Sequence, residues 1–362
     1  MDHQSIAKAL DASRPRIVER VAQETLQNPF WEERYGSGVR DKLVFDGEHN
    51  LAALVKAIRY RSQIILDDYL AWLRTTLVRY NCSTGMIHET FAYIWHGIQA
   101  ELPHAAHAPL YSYIQAGLQS LAYPAPQIQE LAASHEQLAE LLTSHLYDSQ
   151  WHWQQAYAHT GRARMLYDAW LLLDYVMDAM GYNDPQVAVR HTVWLRDYLL
   201  KAGLSTTHMQ QLLWMLTGIL EQQTSPAAAS DARRVLATVA SALLYDEAAY
   251  HALLSVQDEL VQEVAQALAV HDSRLVMEQV LQETGWYVAY LGDALGTHTA
   301  DPLVRYVRMV QQAGADPQLL HAHLAELHTA AARLLPTYAA NDTQAYLQAA
   351  AASLQAYPQM IG

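Results

Sequence analysis

Trp72-Leu73-Arg74 returns as Trp194-Leu195-Arg196, 122 residues further on. One ungapped shift of that size also lays Trp31 on Trp153, Tyr35 on Tyr157, Arg40 on Arg162, Asp46 on Asp168 and Tyr123 on Tyr245. Ser83-Thr84 meets Ser205-Thr206 in the same register. The chain holds nine tryptophans in 362 residues, so two tryptophan matches in one register are hard to obtain by accident. Self-similarity at a fixed period is the mark of a copied supersecondary block. A looser third copy follows at a shift near 115, placing Asp168 on Glu283, Tyr175 on Tyr290, Asp178-Ala179 on Asp293-Ala294 and Gly181 on Gly296. The block ends agree as well: SLAYP at 120–124, ALLYD at 242–246 and SLQAYP at 353–358. From Tyr245 to Tyr357 the spacing is 112, so the third copy is about ten residues short, a loss expected in its third helix. The expected units are 1–123, 124–245 and 246–362.

Each unit reads as about five helices. Glycine and proline together are about 7% of the chain, against roughly 12% in average proteins, and few backbone breakers favour long helices. In the first unit, Ser13 is a candidate N-cap with Pro15 early in a helix, an earlier start being the alternative, and Asn28-Pro29 is a break. A second helix is expected over about 38–58 and a third over about 62–80. The third carries Ile65, Tyr69, Trp72 and Thr76 beside Leu66, Leu70, Leu73 and Leu77, an apolar face wide enough for a buried helix. Ser83-Thr84 then caps a fourth helix running to Glu101, and a fifth ends near Tyr123. Nothing alternates with the period of a strand. The predicted fold is all-α, a tandem array of three similar helical bundles of about 120 residues each.

Charge and cysteine content narrow the function classes. The formal net charge is −14, which repels phosphate backbones and argues against nucleic-acid binding. A single cysteine, Cys82, rules out an internal disulfide framework. The first residues lack a basic stretch followed by an apolar one, and no apolar run is long enough to span a bilayer. The expectation is a cytoplasmic chain with no membrane insertion.

Two constellations could bind something. The repeated polar set comprises Tyr35, Arg40, Asp46 and Arg74, with Tyr157, Arg162, Asp168 and Arg196. Its structural reading pairs Asp46 with Arg74 or Arg40 to fix helix register. Its functional reading is an anion pocket in which arginine and tyrosine hold a carboxylate or phosphate. The second constellation is regional. From Tyr80 to Gly161 there is no Lys or Arg, yet eight of the eighteen histidines lie there. His145, Asp148, His152 and His159 would share one face of a continuous helix and could ligate a transition metal or the iron of a tetrapyrrole such as haem. If the helix instead breaks near Gln150-Trp151, where Asn28-Pro29 breaks the first unit, Asp148 becomes an N-cap and the histidines separate.

Other patterns are incomplete. His323 and Glu326 lack the partner motif that a di-iron bundle needs. Glu89 and His96 do not make a zinc-protease signature. Asp174 and Asp178 have the spacing of a magnesium-holding motif, but without a facing second one. Cys82 carries no local catalytic signature and reads as a small buried residue at a helix entrance.

The stretch 33–77 resembles helical segments that accompany bacterial signalling modules, including cobalamin-binding ones. The residues that carry this are Arg34-Tyr35-Gly36, Arg40, Asp46, the Leu51 to Ile58 ladder, and Asp68-Tyr69 with Trp72-Leu73-Arg74. Asn50 stands where such segments have a histidine, and no Asp-x-His-x-x-Gly cobalamin motif occurs. The resemblance implies a sensory or regulatory helical module and carries over no ligand residues. The leading expectation is a non-enzymatic helical-repeat protein that binds a small molecule or a protein partner. The alternatives are a metal- or haem-dependent enzyme using the histidines of the second unit, and a structural assembly subunit.

Overall fold

The computed structural model describes residues 1–271 and 275–355, so Tyr357 of the third block end lies outside the described residues. Among those described there are eighteen α-helices and no strand. The chain divides into two compact units: Met1–His135 with Trp170–Ala188, and Glu136–Ala169 with the chain from Val189 onward.

Unit 1 contains α1 (His3–Thr25), α2 (Phe30–Tyr35), α3 (Val39–Arg59), α4 (Gln63–Arg79), α5 (Thr84–Glu101), α6 (His107–Ser120) and α7 (Pro126–Ala133). Its core joins Ile6, Leu10 and Ile17 of α1 to Leu51 and Leu54 of α3, Leu66 and Leu70 of α4, and Phe91 and Ile94 of α5. Each such fully buried side chain contributes about 1.5–3 kcal/mol. Unit 2 contains α8 (His135–Leu146, from its second residue on), α9 (Trp151–Ala156), most of α11 (Gln186–Lys201), α12 (Thr206–Gln223), α13 (Pro226–Ala242), α14 (Ala248–His271), α15 (Met277–Thr297), α16 (Asp301–Gln312), α17 (Pro317–Leu334) and α18 (Thr337–Gln355). Helix α10 (Gly161–Tyr182) gives its first part to unit 2 and its remainder, from Trp170, to unit 1.

Local signals set most helix ends. Ser83 caps α5 by accepting from the Met86 N–H, as the sequence predicts. At α12, Ser205 Oγ accepts from the Thr207 N–H while the Ser205 N–H donates to His208 Nδ1. Left-handed residues follow α3 and α4 at Arg61 and Asn81, and recur at Asn183 and Gly203 and again at His298 and Gly314. Two expectations need correction. Helix α1 starts at His3, because Asp2 takes the cap by accepting from the Ser5 N–H, so Ser13 and Pro15 lie in its interior. Trp72 is 59% exposed, resting only beside Tyr69, while Leu66, Leu70 and Leu73 form the buried stripe. Its counterpart Trp194 is half-buried and stacks on Tyr198.

The matched polar residues build two polar clamps of like design. In unit 1, Asp178 accepts from the Thr84 N–H at 2.8 Å, the Thr84 hydroxyl at 2.6 Å and the Tyr123 hydroxyl at 2.8 Å. The Tyr175 hydroxyl donates to Asn81 O, and Arg74 donates to Leu121 O while lying 4.7 Å over the Tyr123 ring. In unit 2, Asp293 accepts from the Thr206 N–H at 3.0 Å and the Tyr245 hydroxyl at 3.1 Å. The Tyr290 hydroxyl donates to Gly203 O, and Arg196 donates to Leu243 O while lying 4.8 Å over the Tyr245 ring. Close approach of ring to helix needs glycine at both places: a β-carbon on Gly181 would overlap Tyr123, and one on Gly296 would overlap Tyr245. Burial pushes the Asp178 carboxyl up to about 6 and raises Asp293 in the same direction.

Candidate functional site: a cavity in unit 1

A cavity of about 60 Å³ lies in unit 1 among α1 to α5. At roughly 10–15 Å³ per water, it has room for about four to six waters. Its origin is local. The chain turns after Asn28, whose Oδ1 accepts from the Phe30 N–H, into the six-residue helix α2. That helix stops at Gly36, whose φ of 79° only glycine adopts freely. Trp31 and Tyr35 of α2 therefore form one wall, with ring centroids 5.6 Å apart. The facing stretch of α3 presents Asp46, Gly47 and Asn50 to the space, and Gly47 lets α3 approach α1, where an added β-carbon would lie 3.3 Å from Val18. Leu73, Leu77 and Met86 supply an apolar floor.

The polar groups of the wall are unequally satisfied. Tyr35 Oη and Cys82 Sγ are hydrogen-bonded at 3.0 Å, either one donating. Asn50 Oδ1 accepts from the Tyr69 hydroxyl at 2.8 Å. Trp31 Nε1 is buried and has no partner. Asp46 is half-buried and makes no hydrogen bond or ion pair with any described residue. Lys42, one turn earlier on α3, is exposed and lies over the Tyr35 ring with its ammonium 5.9 Å from the centroid. Burial outweighs the pull of Lys42 and raises the Asp46 carboxyl above its ordinary range. Burial likewise raises the Cys82 thiol, which is thereby held as a neutral, unreactive group.

The first predicted constellation is only partly assembled. Tyr35 and Asp46 reach the cavity. Arg40 lies outside it on the surface and pairs with Glu19 at 2.6 Å, and Arg74 is committed to Leu121 O. Neither expected Asp46–arginine pair forms, because each arginine meets a nearer acceptor from another helix. In the matched set, Tyr157 donates to Asp168 at 2.8 Å and Arg164 pairs with the same carboxylate at 3.0 Å, both wholly buried. Arg162 instead grips Asp148 and Glu140 at the surface, and Arg196 holds Leu243 O and Asp197. Neither arginine pair converges on an anion site.

The second constellation does not converge either. Helix α8 ends at Leu146 and α9 begins at Trp151, so no continuous helix carries the four residues. Gln150, not Asp148, is the N-cap of α9, and Asp148 is taken by Arg162 at 3.0 Å. His145 turns its Nδ1 to Leu141 O on an exposed surface, and His159 is exposed. His152 is buried, and it meets His208, which the sequence reading did not single out, with ring centroids 5.1 Å apart. His208 stacks on Trp286 at 4.1 Å. Burial drives His152 down to about 4 and His208 down to about 3, so both rings are neutral at physiological pH. The Ser205 N–H occupies Nδ1 of His208, which fixes the proton of the neutral ring on Nε2 and leaves no lone pair there for a metal. Among the described residues no group of three His, Cys, Asp or Glu is placed to hold a metal ion.

The remaining candidates have structural roles. Asp178 anchors the unit 1 clamp, and Asp174 lies 3.1 Å from His135. Glu89 accepts from Tyr93, His96 faces Glu24, and His323 is buried and stacked on Tyr287. Lys42, Asn50 and Cys82 are cavity residues that motif reading passes over. The repeat register contains a signal for some of them: Cys82 and Thr90 line the cavity, while the residues 122 positions on are Leu204 and Leu212, both buried. Among the described residues no helix is long and apolar enough to cross a membrane. No family model, curated protein or solved structure matches the chain.

Proposed function

We propose that this chain is a non-enzymatic helical-repeat protein that captures a small, largely apolar molecule in the cavity of unit 1, in a sensory or regulatory, cytoplasmic setting. The observation that carries the reading is the cavity together with its register-matched counterpart. Gly47, Asn50, Cys82 and Thr90 line the space, and the same positions one period later are Ala169, Leu172, Leu204 and Leu212. Three of the four replacements are larger hydrophobes, the fourth adds a methyl, and all four are buried. One copy of the block keeps small or polar side chains where the other fills the space, which suits a binding site confined to the first copy.

The proposal includes an architecture of three related units at 1–123, 124–245 and 246–362. Its support is the pair of matching clamps and the recurrence of left-handed residues at 61, 183 and 298 and at 81, 203 and 314. The shortfall of the third unit falls partly in α16, which has 12 residues where α4 has 17 and α11 has 16.

The test uses neutral probes of cavity size, benzene and 1-butanol, followed by the Met86 methyl resonance of the full chain. Saturable shifts are expected in the wild type and their loss in Thr90→Leu and Cys82→Leu, both of which install the residue of the second copy. A Met86 signal indifferent to both probes sinks the reading.

A further inference from the structure

We propose that the molecule taken by this cavity is a small amphipathic cation, a protonated amine on an apolar body of butyl to benzyl size, with its ammonium against Asp46. The inference rests on the cavity being a ligand site and adds the charge of the ligand.

Four observations carry it. First, Asp46 is half-buried in a mostly apolar wall and has no partner among the described residues. A carboxylate drawn out of water without compensation is costly, and it is retained where something else supplies the compensation. Second, neither arginine of the repeated set reaches it. The residues that would have made an anion pocket are engaged elsewhere, Arg40 by Glu19 and Arg74 by Leu121 O. An anionic ligand would meet the like charge of Asp46 inside the cavity, with Lys42 exposed at the rim and Arg34 beside Tyr35.

Third, Trp31 and Tyr35 put two aromatic rings in the same wall, and aromatic faces attract cations, most strongly where water is excluded. Fourth, the protein shows what satisfies this carboxylate when the ligand space is filled. Asp168, the match of Asp46, has a guanidinium at 3.0 Å and a tyrosine hydroxyl at 2.8 Å. In unit 1 both of those partners are withdrawn. The match of Arg164 is Lys42, which lies over the Tyr35 ring, and the match of Tyr157 is Tyr35, which bonds to Cys82. The place that Arg164 fills from within the chain is left in unit 1 for a cation from outside.

The test compares three probes of one skeleton, n-butylammonium, 1-butanol and butyrate, at fixed ionic strength and pH 7.5. Binding to the full chain is read by ligand-observed saturation transfer and by the Met86 methyl shift. The amine is expected to bind at least tenfold more tightly than the alcohol, with butyrate weakest. In Asp46→Asn the amine should fall to the level of the alcohol while the alcohol is unchanged. Equal binding of amine and alcohol in the wild type, or a preference for butyrate, overturns the cation assignment while leaving the cavity a ligand site. Failure of all three to move Met86 overturns the ligand site itself. Should Asp46→Asn not fold, the ranking of the three probes in the wild type decides alone.

Discussion

Asp46 and Asp168 occupy matching positions on α3 and α10, and they live in opposite circumstances. Asp168 and its partner Arg164 are each 3% exposed, the pair closes one helical turn, and Tyr157 completes it. Asp46 has Lys42 at the same spacing and Tyr35 at the position of Tyr157, yet neither reaches it. The difference begins with neighbours. Where the second copy has the buried Leu204, the first has Cys82, whose sulfur is hydrogen-bonded to the Tyr35 hydroxyl. The tyrosine therefore has a thiol as its partner at one position and a carboxylate at the other. On the proposed reading, a repeated block keeps its frame in both copies and opens a site in only one.

The strongest way to break this comparison is to neutralise the two carboxylates in turn. Asp168→Asn leaves the buried Arg164 without its counter-charge and should cost about 3–5 kcal/mol. Asp46→Asn removes a charge that forms no hydrogen bond or ion pair among the described residues and should change stability by no more than about 1 kcal/mol. Chemical denaturation midpoints measure both, and equal losses would show that Asp46 has a hidden partner.

A smaller effect sharpens the likeness of the two clamps. Gly181→Ala and Gly296→Ala should each lose about 1–3 kcal/mol by driving a β-carbon into Tyr123 or Tyr245. Gly218 and Gly285 have nothing within 4 Å of an added β-carbon, so alanine there should stabilise slightly. A large loss at one clamp and none at the other would mean that the two are not built alike.

The smallest effect separates the units by pH. Asp178 in unit 1 is raised to about 6 from 3.8, so the folded form binds its proton first and stability falls as pH rises through that window. Asp46 acts in the same sense and His88 in the opposite one. In unit 2, His152 and His208 are lowered to about 4 and about 3 from 6.5, so the unfolded form binds protons first and stability is lost as pH falls below 6.5. His323, lowered to about 4, adds to this, and the raised Asp293 opposes it. Between pH 7 and pH 5, α12 should therefore lose about 1 kcal/mol of protection relative to α5. Hydrogen exchange corrected for intrinsic rates reads the difference, and parallel behaviour of the two helices would contradict it.

The helices were legible in the sequence to within a residue or two where caps and breakers are strong. The expected spans 38–58 and 62–80 appear as Val39–Arg59 and Gln63–Arg79, and Ser83 caps α5 as read. The candidate site was half legible. Tyr35 and Asp46 were singled out for their recurrence, but recurrence also pointed to Arg40 and Arg74, which serve elsewhere. His145, Asp148, His152 and His159 looked like one face only while the helix was taken as unbroken.

The sequence by itself determined what is local: an all-helical chain, the positions of most helix ends, the apolar stripes, and a register in which Trp, Tyr, Asp and Arg recur. Periodicity and capping act over a few neighbouring residues, so a linear string contains them. Only the tertiary structure decided which distant groups meet: that Arg40 turns to Glu19, that Trp72 stays in solvent, that Tyr35 bonds to Cys82, and that Asp46 has no hydrogen-bond partner among the described residues. The physical reason is that hydrogen bonds and ion pairs act over about 3 Å. Which acceptor lies within that reach depends on how side chains from separate helices share one space, and no single stretch of sequence specifies that.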